Sequence, residues 1–278
     1  MTTNAINRRN LLRGSLAAGL IVAAAAAPHV WHAWKVDSLV DSHIEARGGH
    51  DAWSQVQAIR FTGQMDLGQE VAVPYSLEQR VPGQMRLEFD FGGQAVIQVT
   101  DGREGWVLQP FKGVGTPREM SVTERQSAID TADPRGLLFD HAARGHDIDY
   151  VGTVQLDSGP AHQLQVTLES GAVRQVYLDA ESRLDVAMDT TRIIGKQELV
   201  VRTTYSGWAQ SGDLLIPRRQ VTRTEGDDQS HWLTIGTVQV NPELADDHFG
   251  RPEPVDLTPE PLDPREQARL PPGTPPSG

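Results

Sequence analysis

The side chains that could carry chemistry in this chain are histidines and acids, and their spacing limits what they can do. His141 and His146-Asp147 bring two imidazoles and a carboxylate close together in sequence, the start of a metal site. A closed zinc site takes four ligands, however, and no third and fourth ligand follows at a helical spacing. These residues bridge the expected end of a helix and the start of a strand, where a solvated loop suits them. His50-Asp51 follows the Gly48-Gly49 pair, a position that suits a cap or turn. His29 and His32 would bind copper or zinc only if a newly made N-terminus supplied further ligands. Nucleophile motifs are absent: there is no G-x-S-x-G, no H-E-x-x-H and no cysteine. Gly92-Gly93 and Gly113-Val114-Gly115 read as hairpin turns and do not precede a helix start, so they make no phosphate loop. The residues therefore point to binding and not to catalysis, with no catalytic residue, metal or cofactor assigned. An enzyme of unknown type, built from scattered Asp and His, is the minor alternative.

The elements that would position any functional residue are strands. In Met85-Arg86-Leu87-Glu88-Phe89-Asp90-Phe91 the apolar residues recur at period two, with charges on the other face. Such alternation requires one dry face and one wet face. Gly92-Gly93 turns the chain, Ala95, Ile97 and Val99 form the returning face, and Asp101-Gly102 turns it again into Trp106 and Leu108 before Pro110 stops the strand. Further strands are expected over 59–65, 71–80, 84–91, 95–100 and 105–109. After Gly145 they resume over 146–155, 161–168, 174–179, 184–194, 198–210, 215–225 and 232–240. Asp37 or Ser38 can cap a helix that places Leu39, Val40, His43 and Ile44 on one side and ends at Gly48-Gly49, followed by a helical turn over 52–56. Ser121 and Glu124 fit a capping box for a helix running to about Thr131. A second short helix is expected over 135–143, carrying Leu137, Leu138 and Phe139 toward the sheet.

A single antiparallel sheet of about 11–12 strands cannot stay flat, because strand twist accumulates. The fold class is mainly β: one curved sheet, a half-open barrel, wrapped around short α-helices. A sheet this wide offers more inner surface than a few short helices cover, leaving a concave apolar groove. Its expected lining is Phe61, Leu87, Phe89, Ile97, Trp106, Leu108, Leu138 and Phe139. The alternative is that these residues only form the core that any half-buried sheet needs.

The termini differ from this body. Arg8-Arg9, Leu11-Leu12 and Arg13 precede an Ala-rich apolar run over 16–27 that is too short for a confident membrane span, so residues 1–27 read as a signal peptide. The paired arginines resemble a twin-arginine export signal, with general secretion and an uncleaved anchor as alternatives. The expected location is the periplasm, in soluble form after cleavage near Ala26 or Ala27. Cysteine is absent, which excludes disulfides and a lipidated cysteine. The formal charge is −12, and loss of Arg8, Arg9 and Arg13 would make it more negative still. Phosphate backbones repel such a chain, so nucleic acid is excluded as a partner and lipid contact must come from apolar burial. The half-barrel is expected over 28–250. Over 251–278 prolines crowd the sequence, and this tail reads as extended and disordered, a solvated terminus or a strap for a partner or cavity.

Several of these segments, taken in order, resemble a known family. A hydrophobic strand, Asp101-Gly102, Trp106 and Pro110-Phe111 are similar to the periplasmic lipoprotein carriers of the LolA/LolB fold and to the broader outer-membrane lipoprotein-sorting family. Ala46-Arg47-Gly48-Gly49 with Trp53, Met85 to Glu88 and Tyr177-Leu178-Asp179-Ala180-Glu181 add to the likeness, which spans about 38–250. The resemblance implies a periplasmic carrier or chaperone for a lipid, acyl chain or lipoprotein anchor, with 121–143 as a lid over the groove; a monomer is expected. It also admits a sensor or interaction module that contacts an envelope protein or membrane partner. In the lipoprotein carriers a basic residue directly precedes a proline after the second strand and helps hold the lid. Here Val81 precedes Pro82 and the arginine is Arg80, so a one-residue shift turns it to the other face.

Overall fold

A computed structural model describes residues 27–68, 71–194 and 197–257 of the 278-residue chain. The expected signal peptide, apart from Ala27, and the tail beyond 257 lie outside the described residues, as do the side chains of His29 and His32. Helix α1, Ala27–Ala46, and the short α2, His50–Ser54, precede the strands. The first set is β1 (Ala58–Asp66), β2 (Ala72–Arg80), β3 (Gln84–Phe91), β4 (Gln94–Thr100), β5 (Gly105–Gln109) and β6 (Val114–Glu119). Helix α3, Val122–Asp130, follows. The second set is β7 (Asp147–Leu156), β8 (Gly159–Thr167), β9 (Val173–Asp179), β10 (Asp185–Ile194), β11 (Gln197–Ser211), β12 (Leu214–Thr224) and β13 (Ser230–Val240).

Among the described residues all 13 strands form one sheet in the order β6-β5-β4-β3-β2-β1-β13-β12-β11-β10-β9-β8-β7, and every pairing is antiparallel. Phe61 of β1 and Leu164 of β8 belong to one core cluster although several strands lie between them, so the sheet is curled. It is not closed, because β6 and β7 are its two free edges. Each connection but one joins hydrogen-bonded neighbours or runs through a tight turn. The exception, 120–146 between β6 and β7, must pass from one edge to the other, and it does so over the inner face.

Helix α1 sits inside the curl. Val36, Leu39, Val40, His43 and Ile44 recur at three- and four-residue intervals and are all buried. The helix starts well before Asp37 and Ser38, which are interior positions and not caps, because nothing in 27–36 breaks it. Gly63 marks the seam where β1 meets β13: a Cβ there would collide with the Thr234 carbonyl at the register shift after Thr62, so the close approach requires glycine.

Two expectations need correction. Residues 135–143 form turns and not a helix. Asp133 captures the Arg135 amide through Oδ1 at 2.9 Å, Gly136 has φ +91°, and Arg144 Nη1 donates to the Gly136 and Phe139 carbonyls that a helix would have satisfied internally. Val114–Glu119 is a strand and not part of a turn. Pro117 concealed it, and Pro117 is tolerated because β6 is an edge.

The sheet also carries a second, smaller core on its outer face. Ile97, Val99 and Leu108 pack with Phe249, flanked by Trp106 and Leu244. The chain after β13 therefore returns over the back of β4 and β5. Arg251 lies 4.9 Å from the Trp106 ring, and the Val255 amide donates to the Gly115 carbonyl at 2.8 Å on the β6 edge. A Cβ at Gly115 would overlap the Val255 carbonyl, so glycine lets the strap lie close.

Candidate functional site

Between the inner face of the sheet, α1 and the crossover lies a cavity of about 380 Å³, within the usual size range of small-molecule sites. Side-chain alternation builds its walls. Phe61 comes from β1, and Tyr75, Leu77 and Gln79 from β2; from the other arm come Val176 on β9, Met188 and Thr190 on β10, Val201 and Tyr205 on β11, and Leu233 and Ile235 on β13. The roof is 127–138, the end of α3 and the turns after it. His43 and Arg47 close one end.

The roof is fastened on both sides. Gln79 Nε2 donates to the Thr131 carbonyl at 2.6 Å, tying the last turn of α3 to β2. Across the cavity, Arg174 on β9 lies 3.6 Å from Asp130, and both side chains are 8% exposed. Gln126 Nε2 and Ser170 Oγ donate to the same carboxylate at 2.9 and 3.1 Å. The start of α3 is held by a capping box between Ser121 and Glu124, and Arg118 pairs with Glu124 at 2.7 Å. The Arg118 hydrogen bond lowers the Glu124 pKa to about 2. No residue of α3 is fully buried, so its attachments and not its own packing hold it in place.

The closed end is polar. His43 Nδ1 meets the Arg183 carbonyl at 2.9 Å and Nε2 lies 3.6 Å from Asp185. Burial holds its pKa below the usual histidine value, so it is neutral near pH 7. Arg47 stacks on Trp53 at 4.3 Å and donates from Nη1 to the Arg135 carbonyl at 2.9 Å. Burial lowers its pKa as well, against the fields of Asp185, Tyr205 and Asp133, while burial and Asp185 push the Tyr205 phenol up. Asp133 is paired with Arg135 at 2.7 Å and Arg144 at 3.6 Å.

Of the expected lining, Phe61 and Leu138 face the cavity. Leu87 and Phe89 share the inner face and pack against the main core beside it. Phe139 is 2% exposed within that core, between the His50 ring at 4.9 Å and the Arg135 guanidinium at 5.0 Å. Ile97, Trp106 and Leu108 are on the outer face, under the C-terminal strap, and cannot line this cavity. The two-residue Gly92-Gly93 turn sets Phe91 opposite Gln94 and Phe89 opposite Val96, so Ile97 stands opposite Glu88 and points outward. Leu108 opposite Ile97 and Trp106 opposite Val99 follow the same parity. Tyr75, Leu77, Leu233 and Ile235 were missed, although their period-two spacing is visible in the sequence. Arg47 was legible only as part of a helix-ending Arg-Gly-Gly.

His146 Nδ1 meets the Leu137 carbonyl at 3.0 Å, and His50 lies 3.5 Å from Asp140. Among the described residues no three His, Cys, Asp or Glu side chains are grouped as a metal site. Among them also, no helix is long and apolar enough to cross a membrane.

Neither family models nor curated proteins match this sequence. Solved structures do match its fold. A LolA superfamily protein from Nitrosomonas europaea superposes with a TM-score of 0.54 at 12% identity, over 78% of this chain and 97% of that one. A DUF1329 family protein from Desulfovibrio piger gives 0.54 at 10% identity, over 77% and 96%. A domain assigned to outer membrane lipoprotein sorting, from Vibrio parahaemolyticus, gives 0.52 at 14% identity, over 77% and 95%. At these identities the likeness is one of fold: an unclosed antiparallel sheet around short helices, LolA-like.

Proposed function

We propose that this LolA-like half-barrel is a periplasmic carrier that shields a hydrophobic ligand, a lipid or acyl chain, from water inside the lidded cavity. The observation that carries this reading is the cavity itself: about 380 Å³ left between sheet, α1 and crossover, walled by Phe61, Leu77, Met188, Leu233 and Ile235. A core serving stability alone would be filled to the usual packing density. Each methylene buried there contributes about 0.8 kcal/mol, so even a short chain would be retained. Release then requires the roof to move, and its α3 end, held by Gln79 and by the Asp130–Arg174 pair, can open while Leu138 stays in the core. The periplasmic location rests on the export signal read in residues 1–27, and the solved structures of similar fold agree with a binding role.

Arg80 departs from the lipoprotein carriers. It lies on the outer face, 4.8 Å from the Phe249 ring, and the inner-face neighbour that touches the roof is Gln79. Cargo other than a lipoprotein anchor fits this difference. The test is thermal unfolding of the mature protein with single-chain and diacyl lipids. A ligand at 100 times its Kd should stabilise by about 2.7 kcal/mol. A transition unmoved by every lipid would remove the proposal.

A further inference from the structure

Resting on that reading, the geometry points to a specific class of ligand: we infer that the cavity takes a single-chain amphiphile whose anionic, hydrogen-bond-accepting head is received by Arg47. The lining mixes apolar and polar side chains, with His43 and Arg47 at one end. Arg47 faces the cavity, yet among the described residues it uses one side-chain hydrogen bond, from Nη1 to Arg135, and its Nε is buried with no partner. Among the described residues no carboxylate lies within 4.0 Å of its guanidinium. The Tyr75 hydroxyl, on a residue 4% exposed in the same wall, is likewise buried without a partner among the described residues. Buried donors without acceptors are costly and uncommon, and a ligand is the natural source of the missing acceptor.

The pairing within the lining leaves Arg47 open to an anion. The acids of the lining are mostly engaged: Asp133 with Arg135 and Arg144, and Asp130 with Arg174. Asp185 lies 3.6 Å from His43, and its field also reaches Arg47 and Tyr205. The lining's three arginines and three aspartates balance in formal charge, but among the described residues Arg47 has no ion-pair partner, and it is the cation that faces the interior, since Arg192 is exposed. A guanidinium fork binds carboxylate or phosphate with two parallel hydrogen bonds. The volume, near the lower end of the range for such sites, suits one chain better than the two or three of a diacyl lipid or lipoprotein anchor. A fatty acid and a single-chain lysophosphatidic acid both supply this chemistry.

Calorimetric titration of the mature protein with a saturated fatty acid, the primary alcohol of equal chain length, the corresponding lysophosphatidic acid and a triacylated lipopeptide separates the outcomes. We expect the acid to bind about tenfold or more tightly than the alcohol, since charge-assisted hydrogen bonds are the strong ones. The Arg47→Met variant should lose that discrimination while its affinity for the alcohol is kept, and Arg47→Lys should retain part of it. A preference for the lysophosphatidic acid over the fatty acid would name phosphate as the head, and the reverse would name carboxylate. Equal binding of acid and alcohol by the unaltered protein would overturn the inference and leave the carrier reading standing, as would tightest binding of the triacylated lipopeptide. Binding of none of the four would overturn both. The comparison within the unaltered protein decides even where Arg47→Met fails to fold.

Discussion

Gln79 and Thr131 are joined across the mouth of the half-barrel by a 2.6 Å hydrogen bond from the glutamine Nε2 to the threonine carbonyl. Its neighbour Arg80 points the opposite way, toward Phe249. One residue of register thus decides which side chain holds the roof and which holds the C-terminal strap. Replacing Gln79 with Leu should loosen the roof without harming the sheet. Amide exchange in 122–131 should speed up several-fold, and ligand should leave faster, as loss of one neutral hydrogen bond of about 1 kcal/mol implies. Unchanged exchange there would show that the bond holds nothing.

Arg174 and Asp130 form the opposite fastening, and both are nearly dry. Arg174→Met strands a buried carboxylate and should destabilise the protein by about 3 kcal/mol, whereas the double variant Arg174→Met with Asp130→Leu should recover much of the loss. Denaturant unfolding measures both. A double variant as unstable as the single one would contradict a buried pair.

Met188 faces the cavity from β10. Met188→Trp should fill the space the ligand needs, lowering ligand affinity at least about tenfold while the thermal midpoint stays close to that of the parent protein. Retained affinity would place the ligand elsewhere.

Glu124 gives the roof an acid sensitivity of predictable sign. Its pKa, lowered to about 2 by the Arg118 hydrogen bond and then the Ser121 amide, lies below the unfolded value. The stabilisation is therefore fully present above about pH 4.5 and lost as pH falls toward 2. The pair is largely exposed, so solvent screening keeps the effect small. Protection of the first-turn amides of α3, taken against the intrinsic exchange rate at each pH, should fall over that range, and Glu124→Gln should flatten the profile. A profile identical in the two proteins would refute the assignment.

Phe249 is 1% exposed in the outer core and touches nothing in the cavity. Phe249→Ala should cost about 3 kcal/mol of stability and leave ligand affinity within about twofold. A large affinity loss would couple the strap to the site.

Much of this architecture was legible in the sequence. Strand β3 and strand β5 begin and end where alternation and turn residues place them, and the Ser121–Glu124 capping box forms as read. The side of α1 carrying Leu39, Val40, His43 and Ile44 is the buried one. Which face of the sheet is inner was harder. Alternation shows that Ile97 and Glu88 have opposite characters, but Ile97 belongs to a second core whose cover, Phe249, lies far along the chain. The outer face of β4 and β5 is apolar for that reason, and local pattern alone cannot tell it from a groove. Arg47 was obscure for a related reason: its isolation is set by Arg135, Trp53 and Asp185, which come together only in three dimensions.

The central claim is that the space under the roof holds a single apolar chain, and native mass spectrometry of the protein drawn gently from the cells that make it addresses it most directly. The account predicts a bound hydrophobic molecule of single-chain mass, absent from the Met188→Trp variant. A bare protein mass that no added lipid shifts, in the parent protein as in the variant, would contradict it.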